Sequence, residues 1–86
     1  MDPKHKKAPT QEEIDEESRR VRRLRIVVHL ALSTIADGEL TIEEAAGMVA
    51  ATRNFALDLF PGKERAFDVI YRPQFQRLIH EVYRLQ

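Results

Sequence analysis

The chain has 86 residues, no cysteine, and fourteen basic residues balanced by fourteen acidic ones. This length leaves room for one domain, and the lack of cysteine excludes disulfides and thiolate metal sites. Because the charges cancel, no overall field favours nucleic acid or a membrane surface, and cohesion must come from packing or from oligomerisation.

The N-terminal segment contains two prolines, Pro3 and Pro9, among charged residues without periodicity. Such a composition cannot bury enough apolar surface to order itself, so we predict a disordered tail over residues 1–9 and a single helical domain over residues 10–86. The segment also lacks the apolar region of a secretory signal, and no apolar run approaches the ~20 residues of a membrane helix. We therefore expect a cytoplasmic protein with no membrane partner.

The first predicted helix covers residues 10–36 and starts at a capping box formed by Thr10 and Glu13. Apolar residues recur along it at spacings of three, four and seven, which is typical of one helix face. This apolar stripe consists of Ile14, Val21, Leu24, Val28, Ala31 and Ile35. Over residues 26–36 the other faces are apolar as well, so we predict that this half lies inside the core and that residues 10–25 project beyond it.

The junction after this helix carries both a stop and a start signal. Gly38 favours the left-handed backbone that ends many helices, and Thr41 with Glu44 forms a second capping box. The second helix is predicted over residues 42–60, and its apolar side consists of Ile42, Ala45, Ala46, Val49, Ala56, Leu57 and Phe60.

Arg53 falls inside the apolar side of the second predicted helix. An unpaired buried guanidinium is very costly, so two interpretations remain. Either the aliphatic stem packs while the charged end reaches solvent, or Arg53 forms a buried ion pair, with Asp37 or Glu81 as the candidate partner.

Pro61 and Gly62 end the second helix, and a third helix is predicted over residues 63–72 with Ala66, Phe67 and Ile70 buried. Pro73 is favoured in the first turn of a helix, so the fourth is predicted over residues 73–85. Its apolar face consists of Phe75, Leu78, Ile79, Val82 and Leu85. The predicted fold class is all-α, a small antiparallel bundle of four helices with a long, partly projecting first helix.

Residues 37–44, D-G-E-L-T-I-E-E, resemble the second half of an EF-hand calcium loop, and they are also similar to the helical hairpin of bacterial TerB-type tellurite-resistance domains. Only this short segment carries the resemblance, and no family is recognised for the whole chain. It implies a metal site whose candidate ligands are Asp37, Glu39, Glu43 and Glu44. The two earlier EF-hand ligand positions would fall on Ser33 and Ile35, and isoleucine offers calcium no oxygen. The competing interpretation is a purely structural turn and capping box.

A cluster of arginines follows the acidic first turns of the first helix. It consists of Arg19, Arg20, Arg22, Arg23 and Arg25. Arginine binds phosphate through planar donors, so this cluster is a candidate nucleic-acid surface. The acidic residues before it can pair with it and no aromatic residue interleaves with it, which favours a solvated, salt-bridged face instead.

The third candidate is self-association through the first helix. Its predicted interaction residues are Ile14, Val21, Leu24 and Val28, which continue the apolar stripe where a small domain can hardly cover it. Glu17 interrupts this stripe. The expected partner is a second copy of the chain or another helical protein.

Catalysis has little support in the sequence. His5, His29 and His80 are far apart, and no catalytic motif or cofactor-binding loop is present. We therefore predict a non-enzymatic interaction or assembly module without a cofactor. The alternatives are a nucleic-acid-binding accessory protein that uses residues 19–25 and a metal-binding hairpin at residues 37–44.

Overall fold

The computed structural model describes residues 8–84, so residues 1–7 of the predicted tail, with His5, and residues 85–86 lie outside the described part. Four helices are present: α1 (Gln11–Ala36), α2 (Ile42–Leu59), α3 (Glu64–Ile70) and α4 (Arg72–Tyr83). No strand occurs within residues 8–84. The predicted all-α class with a long first helix is confirmed, and the helix bounds differ from the predicted ones by at most two residues.

The helices are arranged as a bundle of three helices with a short connecting helix. α1, α2 and α4 pack against one another, whereas α3 packs against α2 and α4. Tyr83, at the end of α4, donates a hydrogen bond of 2.6 Å to the carbonyl oxygen of Leu40 between α1 and α2. The C-terminal ends of α1 and α4 therefore lie together, so these two helices run in the same direction and α2 runs antiparallel to both.

The core is small and formed by all four helices. Its buried apolar residues are Leu24, Val28, Ala31, Ile35, Ala45, Ala56, Phe67 and Phe75. Ile35 and Phe75 are completely buried. Thr52 is also buried, and its hydroxyl donates to the carbonyl oxygen of Met48 at 2.8 Å, so this polar group is satisfied inside α2.

The junction between α1 and α2 is built as the sequence predicts. Gly38 has a φ of +74°, the left-handed conformation that L side chains rarely adopt. Thr41 accepts a hydrogen bond from the Glu44 amide at 3.0 Å, and Glu44 accepts one from the Thr41 amide at 2.8 Å. These bonds satisfy amides that the start of α2 would otherwise leave without partners.

The predicted burial is wrong on the outer faces of the helices. Ile26 and Leu30 are 54% and 58% exposed, although we expected residues 26–36 to be surrounded by partners. Ala46, Ala66 and Ile70 are exposed as well. The reason is that α1 has only two long neighbours, α2 and α4, and α3 is too short to cover its outer side.

Arg53 is paired, but with neither of the two predicted partners. Its Nε lies 2.8 Å from Oδ1 of Asp68 and its Nη2 lies 3.1 Å from Oδ2, so the guanidinium binds the carboxylate in a bidentate manner. This hydrogen bond lowers the pKa of Asp68 below its ordinary value, against the opposing effect of burial. The ion pair between Arg53 and Asp68 holds α3 against α2.

Candidate interaction surface

The most distinctive surface is the N-terminal part of α1, residues 11–19, which we call the arm. Every residue of the arm is exposed, and the first buried residue of α1 is Leu24. The molecule measures 60 × 22 × 16 Å, far longer than it is wide. The predicted projection of the first helix is thus confirmed for the arm, which has no other helix of residues 8–84 beside it.

The arm is held in helical form by local contacts. The Thr10 amide donates to Oε1 of Glu13 at 2.8 Å, and the Glu13 amide donates to the Thr10 hydroxyl at 3.1 Å. The backbone hydrogen bond from Thr10 lowers the pKa of Glu13. Arg19 forms an ion pair of 2.6 Å with Glu16, which keeps the pKa of Glu16 below its ordinary value. All these contacts lie within one or two turns, so the arm gains no stability from tertiary packing.

The predicted interaction residues divide between the arm and the core. Ile14 is 45% exposed and Val21 is partly exposed, whereas Leu24 and Val28 are 8% and 5% exposed. α2 and α4 of the same chain already cover the apolar stripe from Leu24 onward, so Leu24 and Val28 do not belong to its unpartnered part. The unpartnered part of the stripe is shorter than predicted and consists of Ile14 and Val21.

Arg20 marks the base of the arm. Its guanidinium lies 5.8 Å from the centre of the Phe60 ring, at the end of α2, in a cation–π contact. Its Nη1 is 3.7 Å from Glu16, while its Nε is buried without a hydrogen-bond acceptor within residues 8–84. Arg20 thus contacts the end of α2, and the arm comprises the residues of α1 before it.

The arginine cluster is only partly neutralised. Arg19 and Arg20 both pair with Glu16. Arg22, Arg23 and Arg25 are exposed, and no carboxylate of the described part of the chain lies within ion-pair distance of them. Within the described residues, the face predicted to be solvated and salt-bridged thus has ion pairs at Arg19 and Arg20 and is solvated at the other three arginines.

Two further apolar patches were missed by the sequence interpretation. Ile26 and Leu30 lie one turn apart on the outer face of α1. Leu30 lines a groove of about 320 Å³ together with Met48 and Phe55 of α2. Val69 and Ile70 of α3 are 64% and 55% exposed. The sequence does contain a sign of this exposure. Pro61 and Pro73 lie close together in the sequence, so the helix between them, α3, is too short to cover a long neighbour.

A second cavity of about 320 Å³ lies at the base of the arm, between α1, α2 and α3. Val21, Phe60 and Ile70 are among its apolar lining residues, and Lys63 lines it as well. The cavity lies at the level of α1 at which the apolar stripe leaves the core.

The carboxylates of the α1–α2 junction do not form a metal site. Within residues 8–84 no three histidine or acidic side chains lie close enough to hold an ion, so the candidate ligand set of Asp37, Glu39, Glu43 and Glu44 is not assembled. Glu44 instead caps α2. The structural turn and capping box account for this segment.

Two of the three histidines lie within the described residues. His29 and His80 are both exposed. None of the hydrogen bonds found within residues 8–84 joins either imidazole to a serine or a carboxylate.

No helix within the described residues is long and apolar enough to cross a membrane. Comparison of the chain with protein-family models, with curated proteins and with solved structures gives no match. The geometry described above is thus the basis for any assignment of function.

Proposed function

We propose that this protein is a non-enzymatic interaction module that associates with a second copy of itself through the arm. The observation that carries the proposal is the exposed arm itself. Its apolar stripe continues that of the core, yet nothing in residues 8–84 packs against Ile14.

The proposal is supported by the weak stabilisation of the arm within one copy. Most helical stability in proteins comes from tertiary packing of an apolar face, so a segment held only by local contacts frays at its free end. The arm has capping and ion-pair contacts but no buried side chain. A second copy that covers Ile14 and Val21 would supply the missing apolar burial, since a fully buried isoleucine contributes about 1.5–3 kcal/mol.

Sedimentation equilibrium across the micromolar range tests the proposal with two matched variants. Ile14→Lys places a charge on the arm stripe, and Ile26→Lys places the same charge on the outer face of the same helix, where the isoleucine is 54% exposed. We expect wild type and Ile26→Lys to dimerise and Ile14→Lys to remain monomeric. A monomeric wild type would end the proposal, and loss of the dimer in Ile26→Lys alone would move the interface to the outer face.

Nucleic-acid binding is the second candidate, because Arg22, Arg23 and Arg25 are exposed and have no ion-pair partner in the described part of the chain. Such binding would weaken steeply with salt, as counterions are released from phosphate. Fluorescence anisotropy with duplex and single-stranded DNA at low salt tests it. If neither is bound, or if Arg22→Gln with Arg23→Gln binds as tightly as wild type, this candidate is removed.

A further inference from the structure

We infer that the two arms pair antiparallel, around a twofold axis between Glu17 and Ser18, with Ile14 of each copy reaching the cavity at the base of the other arm. This inference rests on the proposed self-association and adds its orientation, its register and its residue contacts.

The first support is a charge-inverted symmetry in the sequence. Residues 12–17 read E-E-I-D-E-E, and residues 18–23 read S-R-R-V-R-R. When the second segment is read backward against the first, every acidic residue except Glu17 stands opposite an arginine, and Ile14 stands opposite Val21. In this register the acidic positions Glu12, Glu13, Asp15 and Glu16 of one arm lie at the same levels along the axis as the arginines of the other arm, and the edges of the stripe decide which of these side chains come into contact.

The second support is the placement of charge along the two edges of the stripe. At 3.6 residues per turn, residues seven apart share a position on the helix surface. Glu13 and Arg20 therefore lie along one edge, and Asp15 and Arg22 lie along the other. Each edge thus carries an acidic group toward the N-terminus and an arginine two turns later.

This placement distinguishes the two orientations. In an antiparallel pair each edge meets the same edge of the second copy, so Glu13 faces Arg20 and Asp15 faces Arg22. In a parallel pair the two different edges meet, so Glu13 would face Asp15 and Arg20 would face Arg22. Like charges in contact disfavour the parallel pair, so charge complementarity fixes the orientation.

The third support is the cavity at the base of the arm. In this register Ile14 of one copy arrives at the level of Val21 of the other, where Val21, Phe60 and Ile70 line the cavity. Lys63 also lines the cavity and would offer a positive charge to the acidic end of the incoming arm. The match is independent of the charge pattern, because it follows from the position of α3 and the end of α2.

Glu17 lies in the stripe beside the proposed axis, so the two Glu17 carboxylates of a dimer would lie near each other. We expect this repulsion to keep the association weak and reversible. Glu17→Gln should then lower the dissociation constant several-fold, whereas the same change in an unpaired arm would have no effect on the sedimentation profile.

Distance measurement between spin labels tests the orientation. The sequence contains no cysteine. Ser18→Cys and His29→Cys therefore each provide a single labelling site at an exposed position of α1. With a rise of 1.5 Å per residue, an antiparallel pair with this axis places the two His29 labels about 35 Å apart. It places the two Ser18 labels about 10 Å apart, the spacing of two packed helices.

The outcomes separate this inference from the proposed function. A short distance at Ser18 with a long distance at His29 supports the antiparallel pair. Short distances at both positions would show a parallel pair, and long distances at both in a sedimenting dimer would show another interface; either result overturns the inference. A monomer by sedimentation overturns self-association itself.

A charge-exchange pair gives a second test on one edge of the stripe. Asp15→Arg alone and Arg22→Glu alone should each raise the dissociation constant several-fold to tenfold, because each creates two like-charge contacts across the axis. An equimolar mixture should recover wild-type association, since both edge contacts are then opposite in charge. If Asp15→Arg alone strengthened the dimer, the antiparallel orientation would be wrong, because that substitution favours the parallel pair.

Discussion

The two halves of α1 are continuous in backbone but differ in what stabilises them. The N-terminal half has no buried residue and is held by a capping box and by contacts between neighbouring turns. The C-terminal half buries Leu24, Val28, Ala31 and Ile35 against α2 and α4. One helix therefore contains a segment stabilised by packing and a segment stabilised by local chemistry alone.

This difference shows that an unbroken apolar stripe does not by itself locate a core. Ile14 and Ile35 occupy the same face of α1, yet one is 45% exposed and the other is completely buried. Whether such a residue is covered depends on the lengths of its neighbours. Here α2 ends and α4 begins short of the arm, so the same pattern produces core at one end and free surface at the other.

The largest expected effect contrasts these two isoleucines. Ile35→Ala should lower the free energy of unfolding by about 2–5 kcal/mol, because it removes a fully buried side chain and leaves a cavity. Ile14→Ala, its matched control, should change the unfolding of the monomer by less than about 0.5 kcal/mol. Urea unfolding at a concentration too low for association measures both. Similar losses for the two variants would mean that the arm is packed after all.

The next effect concerns the point at which the packed half of α1 ends. Gly38→Ala should destabilise by about 1 kcal/mol or more, because alanine tolerates a φ of +74° poorly. The added methyl would lie 3.6 Å from Cγ1 of Val82, an ordinary contact, so the cost comes from the backbone and not from a clash.

Gly47 supplies the control for that substitution. It lies inside α2 with open space around its Cα, and Gly47→Ala should therefore stabilise by about 0.5–1 kcal/mol. Thermal unfolding of both variants shows whether Gly38→Ala lowers the unfolding midpoint and Gly47→Ala raises it. A stabilised Gly38→Ala would show that the junction can relax into another conformation.

A smaller effect separates the two capping boxes. Thr41→Ala removes the cap of a packed helix and should lower global stability by about 1 kcal/mol. Thr10→Ala removes the corresponding cap of the arm, where we expect local fraying with no change in the unfolding midpoint. Amide hydrogen exchange should show faster exchange in residues 11–19 of Thr10→Ala only. A shifted unfolding midpoint in that variant would contradict the independence of the arm.

The smallest effect is a dependence on pH. The pKa of Asp68 is lowered in the folded state because Arg53 donates hydrogen bonds to its carboxylate. The ion pair therefore stabilises the fold fully at pH values above the ordinary pKa of 3.8. This stabilisation is lost as the pH falls through the lower pKa of the folded state. The stability difference between wild type and Asp68→Asn should therefore shrink below about pH 4.

Glu13 also has a lowered pKa, because the Thr10 amide donates a hydrogen bond to it, so the sign of its pH dependence is the same. Its effect is confined to the arm. The protection factors of the amides in the first turns of α1, corrected for the intrinsic exchange rate at each pH, should fall in acid at pH values that leave the unfolding midpoint of Glu13→Gln equal to that of wild type. A pH-dependent difference between those midpoints would show that the arm contributes to the global stability of the fold.

Local signals predicted the fold well. The capping boxes at Thr10 and Thr41 and the left-handed glycine at Gly38 depend only on neighbouring residues, and all three are present as expected. Helix bounds follow from the same signals and from the apolar spacing. The class and the projecting arm could therefore be predicted from the sequence.

Features that depend on packing geometry could not be predicted in the same way. The partner of Arg53 is Asp68, fifteen positions away in another helix, and that pairing depends on the angle at which α3 meets α2. The exposure of Ile26 and Leu30 likewise depends on the short length of α3. For the candidate site, the sequence identified the arm and its arginines but not the cavity at its base, which three helices form together.

The hydrogen bond from Tyr83 to Leu40 joins residues 43 positions apart, nearly at the end of the chain. Contacts this distant in sequence close a long loop and form late, whereas the α1–α2 hairpin can form from local contacts. During synthesis from the N-terminus, the hairpin must therefore wait for the last turn of α4 before its open side is covered. The arm does not depend on that closure, because its capping box and its ion pair lie within its own first turns.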